Sequence, residues 1–301
     1  METIRREKLQ PMKRILIIAR KEFSDAVISK RLWLLIALFL LFYVTMTFYL
    51  SVAYSIMSEE TRPTRITQIF SSAGSSVSLI APFLGIAFGY DAVSRERESG
   101  TLRILLSRPV YREDVVNGKI IASLAIMGIT LFASTFLTVP ATIFLHGITI
   151  DLDDIARLFL FSTFSLMFAF AYYALSLFLS SLLNKSSLSL MASIALWAFF
   201  TIIMPIISTM IAFMMLGFPS FANAEDYFKK YSELNYMIQI FSINNHYNTL
   251  TGPVLTKGSK QDVLNLIKVF SQYPISIMAL ILYPLIFMML SYIMFTRREE
   301  K

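Results

Sequence analysis

Six stretches of this chain are long, apolar and free of Asp, Glu, Lys, Arg and His in their interiors: Leu32 to Met57, Ile66 to Tyr90, Ile120 to Leu145, Leu158 to Leu183, Leu188 to Leu216 and Ile275 to Phe295. A helix rises 1.5 Å per residue, so about 20 apolar residues cross a hydrocarbon core of roughly 30 Å. Each stretch is predicted to be a spanning helix. The second is diluted in its first half by SSAGSSVS, which shifts its apolar part toward Ser75 and beyond. The first runs 26 residues without a charge, longer than the apolar core of a cleaved signal, and is read as a retained span.

Two further segments show helical periodicity. In KRILIIARKEFSDAVISK, Lys13 to Lys30, the residues Ile15, Ile18, Ala19, Phe23, Ala26 and Val27 share one face, and Glu22 intrudes on it. This pattern suits a helix lying at the membrane interface or one packed on neighbouring cytoplasmic protein. Between the fifth and sixth spans, residues 217–274 are too long for a simple connector. Val263, Leu264, Ile267 and Phe270 there mark a short amphipathic helix, and the segment's many Phe and Tyr place it as a cap near the lipid surface.

Composition fits a membrane chain: 56% of residues are hydrophobic and 16% charged, below the quarter usual in soluble domains. The net charge of +7 raises a nucleic-acid reading, but the basic residues flank apolar runs rather than cluster on one surface. With the N-terminus inside, nineteen Lys and Arg fall on the inner side and eight on the outer, which predicts both termini in the cytoplasm. Arg157 then counts as an outer topology charge whose removal should be nearly silent.

Between spans two and three lies RERESGTLRILLSRPVYREDVVNGK, Arg95 to Lys119. Pro109 suits a first helical turn, and Val110, Asp114, Val115 and Val116 continue it toward a stop at Asn117-Gly118, giving a short cytoplasmic helix. A charge run by itself reads as a solvated loop. However, Glu96, Glu98, Gly100, Thr101, Leu102, Leu105, Leu106, Pro109, Val110, Arg112, Gly118 and Lys119 occur in the order of the inner loop of ABC-2 type permeases, the membrane subunits of a class of ATP-driven transporters. The chain resembles that family along essentially its whole length, and its compact layout is most similar to the subgroup linked to multicopper-enzyme maturation.

The resemblance implies an all-α membrane protein. Residues 1–31 hold the cytoplasmic N-terminus with an interfacial elbow helix. Residues 32–296 form the six-span permease domain, with the coupling loop at 91–119 and the outer insertion at 217–274, where the family places re-entrant or interfacial helices. Residues 297–301 form a cytoplasmic tail. It further implies that Glu96, Glu98, Gly100, Thr101, Leu102, Pro109, Arg112 and Lys119 couple the chain to a separate ABC ATPase subunit carrying ATP and Mg. A second permease copy or a relative completes the assembly in the cell membrane, and export is the expected direction. The alternative is an ATPase-linked scaffold that transmits force to an extracytoplasmic partner without moving a substrate itself.

Other chemistry is thin. A phosphate-cradling GxxxxGK[ST] is missing, since Glu113 stands where its first glycine belongs. With no cysteine, thiolate chemistry and cysteine-ligated metals are excluded. His146 near Asp151, Asp153 and Asp154 admits a weak cation site, but solvated aspartates beside an interfacial histidine is the simpler reading. No Ser has a nucleophile-elbow context, and span interiors without ionisable groups argue against a proton-coupled carrier. Ser and Thr within spans read as packing residues. Pro82, Pro140, Pro205 and Pro284 are candidate bends.

Overall fold

The computed structural model describes residues 11–56, 65–100, 112–217, 224–255 and 263–297, and every regular element among them is helical. In chain order these are α1 (Pro11–Ile28), α2 (Lys30–Ile56), α3 (Ile66–Gly89), α4 (Ser94–Glu98), α5 (Arg112–His146), α6 (Leu152–Leu182) and α7 (Ser186–Ala198). A π-turn (Phe199–Ile203) links α7 to α8 (Met204–Leu216), followed by α9 (Ala224–Ile238), α10 (Ile243–Leu255), α11 (Val263–Gln272) and α12 (Pro274–Arg297). Six candidate spans are long and apolar enough to cross a membrane: Leu32–Ala53, Ser76–Glu98, Glu113–His146, Leu152–Leu182, Ser186–Leu216 and Pro274–Phe295. They match the six stretches read from the sequence, and the second begins at Ser76, where the serine-diluted half gives way.

The helix α6 is the mast of the bundle. Two thirds (67%) of its span is buried within the chain, against 6% for the fifth span, which leaves α7 and α8 facing outward. Phe161, Phe168, Ala171, Tyr172 and Leu177 on α6 are fully enclosed. The helix α3 reaches it through Gly85 and Gly89, one turn apart. A Cβ on Gly85 would overlap the Ala169 carbonyl oxygen and lie 2.6 Å from the Tyr173 nitrogen, and one on Gly89 would lie 2.6 Å from the Tyr173 carbonyl oxygen. Bare backbone therefore meets bare backbone, the small-residue contact that helices in lipid use where no hydrophobic effect drives them together.

Two helices depart from the expected boundaries. The sequence suggested a stop at Asn117-Gly118, yet α5 runs unbroken from Arg112 to His146. Gly118 serves a close approach instead: its Cβ would lie 2.6 Å from the Ile18 Cγ2 atom of α1. The fourth span, α6, starts at Leu152 rather than Leu158 and carries Asp153, Asp154 and Arg157 in its first two turns.

The fifth span widens into a π-turn, where Met204 N–H reaches back to the Phe199 carbonyl. Pro205 follows at once, and the wider turn relieves the clash its ring would make with the carbonyl four residues before.

The insertion between spans five and six does more than cap the surface. Its amphipathic helix is present as α11, but α10 lies inside the bundle, with Ile243, Tyr247, Leu250 and Val254 fully buried. Asn244 near the start of α10 meets Tyr172, whereas Val254 near its end meets Arg157. Those partners are separated by about 22 Å along α6 at 1.5 Å per residue. The helix α9 runs back along α8, with Tyr231 3.2 Å from Thr209 and Asn235 bonded to Ser208. The helix α9 thus lies along the outer side of α8 with most of its side chains exposed, and α10 returns between the spans, so the pair makes a hairpin of re-entrant form.

Candidate functional site

At the end of the bundle that holds α1, three elements converge on one ammonium. Lys119, at the start of α5, lies 2.9 Å from Glu96 of α4 and 3.3 Å from Glu22 of α1. Its side chain is only 10% exposed, so both carboxylates are needed to offset its desolvation. Arg14 pairs with Asp114 at 3.0 Å one turn away along the same seam. The helix α1 is thus fastened to α5 by two ion pairs, with Ile18 and Ala19 set against Gly118 between them. Glu22, the residue that interrupted the apolar face, is there because that face meets Lys119.

The helix α4 is held equally firmly on its other side. Ser180 Oγ of α6 accepts the N–H groups of Val93 and Ser94, both at 3.0 Å, and so supplies partners to a helix start that lacks a side-chain cap of its own. Arg97 donates to the carbonyls of Ser181 and Leu183 at the end of α6, at 3.4 and 3.1 Å, and a cation there also suits the helix dipole. The Ser186 hydroxyl donates to Glu98 at 2.6 Å. Gly100 then turns the chain at φ 69°, a left-handed conformation that glycine adopts without strain.

Of the eight residues assigned to coupling, Glu96, Glu98, Gly100 and Lys119 gather at this junction. Arg112 begins α5. Thr101, Leu102 and Pro109 lie outside the described residues, as do Val110 and the expected first turn of a coupling helix. The sequence reading did not name Arg14 and did not pair Glu22 with Lys119 or Asp114 with Arg14. The misplaced carboxylate on the α1 face was the one signal pointing to them.

The opposite end carries a second polar arrangement. Arg157 is 1% exposed; its Nε donates to Asp153 at 2.8 Å and its Nη1 to the Val254 carbonyl at 3.0 Å. It caps the end of α10 rather than standing in solvent, which corrects its reading as a silent topology charge. Asp153 serves Arg157, Asp151 lies 3.4 Å from Arg65, and Asp154 is buried and accepts the Asp151 N–H at 3.1 Å. His146 faces the Thr47 carbonyl at 3.3 Å. Among the described residues no three such groups converge to hold a metal.

Polar groups also gather at the base of the re-entrant hairpin. Tyr172 donates to Asn244, whose amide donates to Thr201 in the π-turn at 2.9 Å, and Ser242 donates to the Phe200 carbonyl at 3.5 Å. Beside them His246 lies 2.8 Å from the Ile240 carbonyl and 3.1 Å from Ser276 of α12. A neutral ring suits this position between helices, where a buried charge is costly. A carbonyl only accepts, so Nε2 carries the proton and Nδ1 receives the Ser276 hydroxyl. The hairpin is therefore keyed to α6, the π-turn and α12 together.

A helical bundle of six membrane-length spans, with an N-terminal helix fastened across the start of the third, defines a multi-pass membrane protein. The chain belongs to the ABC-2 family of transporter proteins, whose family model matches residues 16–299. Among its relatives is the probable ABC transporter permease protein NosY of Pseudomonas aeruginosa, 28% identical over 189 residues, which cover 62% of this chain and 66% of that protein. The protein of the same description from Stutzerimonas stutzeri is 25% identical over 202 residues, covering 65% and 70%. The match to the first thus falls just short of two thirds of the relative's length.

Proposed function

We infer that this chain is the membrane-spanning permease subunit of an ATP-driven transporter working as an exporter, with both termini in the cytoplasm and ATP hydrolysed on a separate subunit that binds Mg. The observation that carries the reading is Lys119 between Glu22 and Glu96: a load applied to the loop after α4 reaches α1 and α5 through one shared cation. Glu98 and Gly100, with Arg112, Thr101, Leu102 and Pro109, meet the ATPase, and Glu96 and Lys119 couple that contact to α1 and α5. Residues 1–31 act as the cytoplasmic N-terminus with its interfacial elbow helix, 32–296 as the six-span permease domain and 297–301 as the cytoplasmic tail. Two copies, or this chain and a relative, enclose the pathway.

A second reading, a scaffold that transmits force to an extracytoplasmic partner, draws support from the re-entrant hairpin. Its base is bonded to α6, which is also bonded to α4, so one rigid helix connects the two ends. Co-expression of this chain with a candidate ATPase tests the first reading. The complex should co-purify and show substrate-dependent hydrolysis, and the chain alone should neither bind nor hydrolyse ATP. Hydrolysis by the chain alone would remove the proposal.

A further inference from the structure

Beside the Lys119 cluster a half-open cavity of about 580 Å³ lies between α1, the α3–α4 corner and α5, a size typical of small-molecule sites. Its inner wall is apolar, formed by Phe88, Ala92, Ala122 and Ile126. Its rim carries charges of both signs: Lys21 and Asp25 on one side, Asp91 and Arg95 on the other. Lys119, Glu22 and Glu96 also line it, but they engage one another. The rim pairs are looser. Lys21 lies 3.4 Å from Glu22 and 3.5 Å from Asp25, with Lys21 and Asp25 more than 60% exposed, and Arg95 lies 3.7 Å from Asp91, with the arginine 76% and the aspartate 11% exposed. Lys21, Asp25 and Arg95, the exposed members, gain little from these pairs and exchange partners cheaply.

We propose that this cavity binds a phosphoethanolamine headgroup, its phosphate on Lys21 and Arg95, its ammonium on Asp25 and Asp91, and its apolar root along Phe88, Ala122 and Ile126. Balanced rim charge is what selects the ligand class. A purely anionic headgroup would bring its charge against Asp25 and Asp91 as well as toward the cations. A zwitterion satisfies both signs with no change in net charge, and an ammonium with three N–H donors bonds carboxylates where a quaternary one cannot. Membrane phospholipid is the expected source. The exposed face of α1 bears Met12, Leu16 and Ile17 beside Lys13 and Arg20, an apolar surface edged with basic groups that suits a helix seated at a bilayer surface. This source rests on reading α1 as the interfacial elbow, whereas the headgroup chemistry does not.

The test is native mass spectrometry of the full-length chain in detergent with equimolar dioleoyl phosphatidylethanolamine, phosphatidylcholine and phosphatidylglycerol. The ethanolamine lipid should be retained about five- to ten-fold over the other two, the scale of one charge-assisted contact. Asp25→Asn should erase the preference over phosphatidylcholine, and Ile126→Trp, which fills the inner wall, should reduce retention of all three at this site. Should Ile126→Trp fail to fold, Asp25→Asn, a surface change, still decides. Equal retention of the three lipids, a preference for phosphatidylglycerol, or no effect of Asp25→Asn overturns the proposal. Calorimetric titration with soluble glycerophosphoethanolamine separates the sources: saturable binding lost in Asp25→Asn, with no lipid retained, keeps the headgroup chemistry and assigns it to a soluble ligand. None of these readouts involves the ATPase, so a failed coupling model leaves them intact.

Discussion

Glu22 and Lys119 meet at 3.3 Å across the seam between α1 and α5, and Lys119 passes the contact on to Glu96 at 2.9 Å. Removing the cation leaves two carboxylates facing each other in a confined site. Lys119→Ala should therefore destabilise the chain by about 2 to 3 kcal/mol, at or below the low end for buried pairs because both carboxylates keep some solvent. Thermal unfolding in detergent, followed by the fluorescence of Trp33 and Trp197, measures it. Glu22→Gln, which leaves Glu96 in place, should cost less. Equal stability of Lys119→Ala and the parent would mean that the seam is not held by charge.

Arg157 provides a matched case at the other end. Arg157→Ala strands Asp153 and the Val254 carbonyl in a buried site, with an expected loss of about 2 to 4 kcal/mol. The helix α10 should loosen with it. In a cysteine-free background, a cysteine at the buried position Thr251 should react with maleimide faster in the Arg157→Ala variant than in the parent. Unchanged reactivity and stability would return Arg157 to the role of a topology charge.

The α3–α6 contact predicts a sharp contrast between glycines. Gly85→Val places two methyl groups where there is no room for a Cβ, so little folded protein should be recovered. Gly128→Ala should be tolerated, because its Cβ would find only the Leu166 side chain at 3.6 Å. Gel-filtration yield of the two variants decides; comparable monodisperse yields would show that α3 and α6 move apart easily.

Coupling predicts function lost without folding lost. Glu98→Ala removes the acceptor for Ser186, Arg112→Ala removes a charge at the start of α5, and Gly100→Val opposes a left-handed turn. Each should insert normally yet weaken ATPase association by about thirty-fold or uncouple hydrolysis from transport, on the scale of roughly 2 kcal/mol for one partner of a desolvated charge pair. If all three variants assemble and transport like the parent, the loop after α4 is only a solvated connector.

Orientation is checked by single cysteines at two exposed positions, Ser99 beside α4 and Ser232 on α9. An impermeant maleimide should label Ser232→Cys in intact cells and Ser99→Cys only after permeabilisation. The reverse pattern would invert the topology and take the ATPase-facing surface with it.

Some of this protein was written linearly in its residues. Spans reveal themselves because lipid imposes a length and a polarity on each helix separately, so Leu32 to Met57 or Ile275 to Phe295 can be read without knowing their neighbours. The amphipathic stripe of α1 and the family-like succession of residue types between Glu96 and Lys119 were legible for the same local reason. What the chain did not disclose by itself were relationships between distant segments. Glu22 looked like a flaw until α5 brought Lys119 to it, and Gly118 looked like a helix stop until Ile18 occupied the space beside it. Arg157 counted as a surface charge until α10 folded inward and set the Val254 carbonyl against it. Burial and pairing depend on which helix lies opposite. That choice is made by backbone approach at Gly85 and Gly89 and by polar groups seeking partners away from water, and neither is encoded at a single position along the sequence.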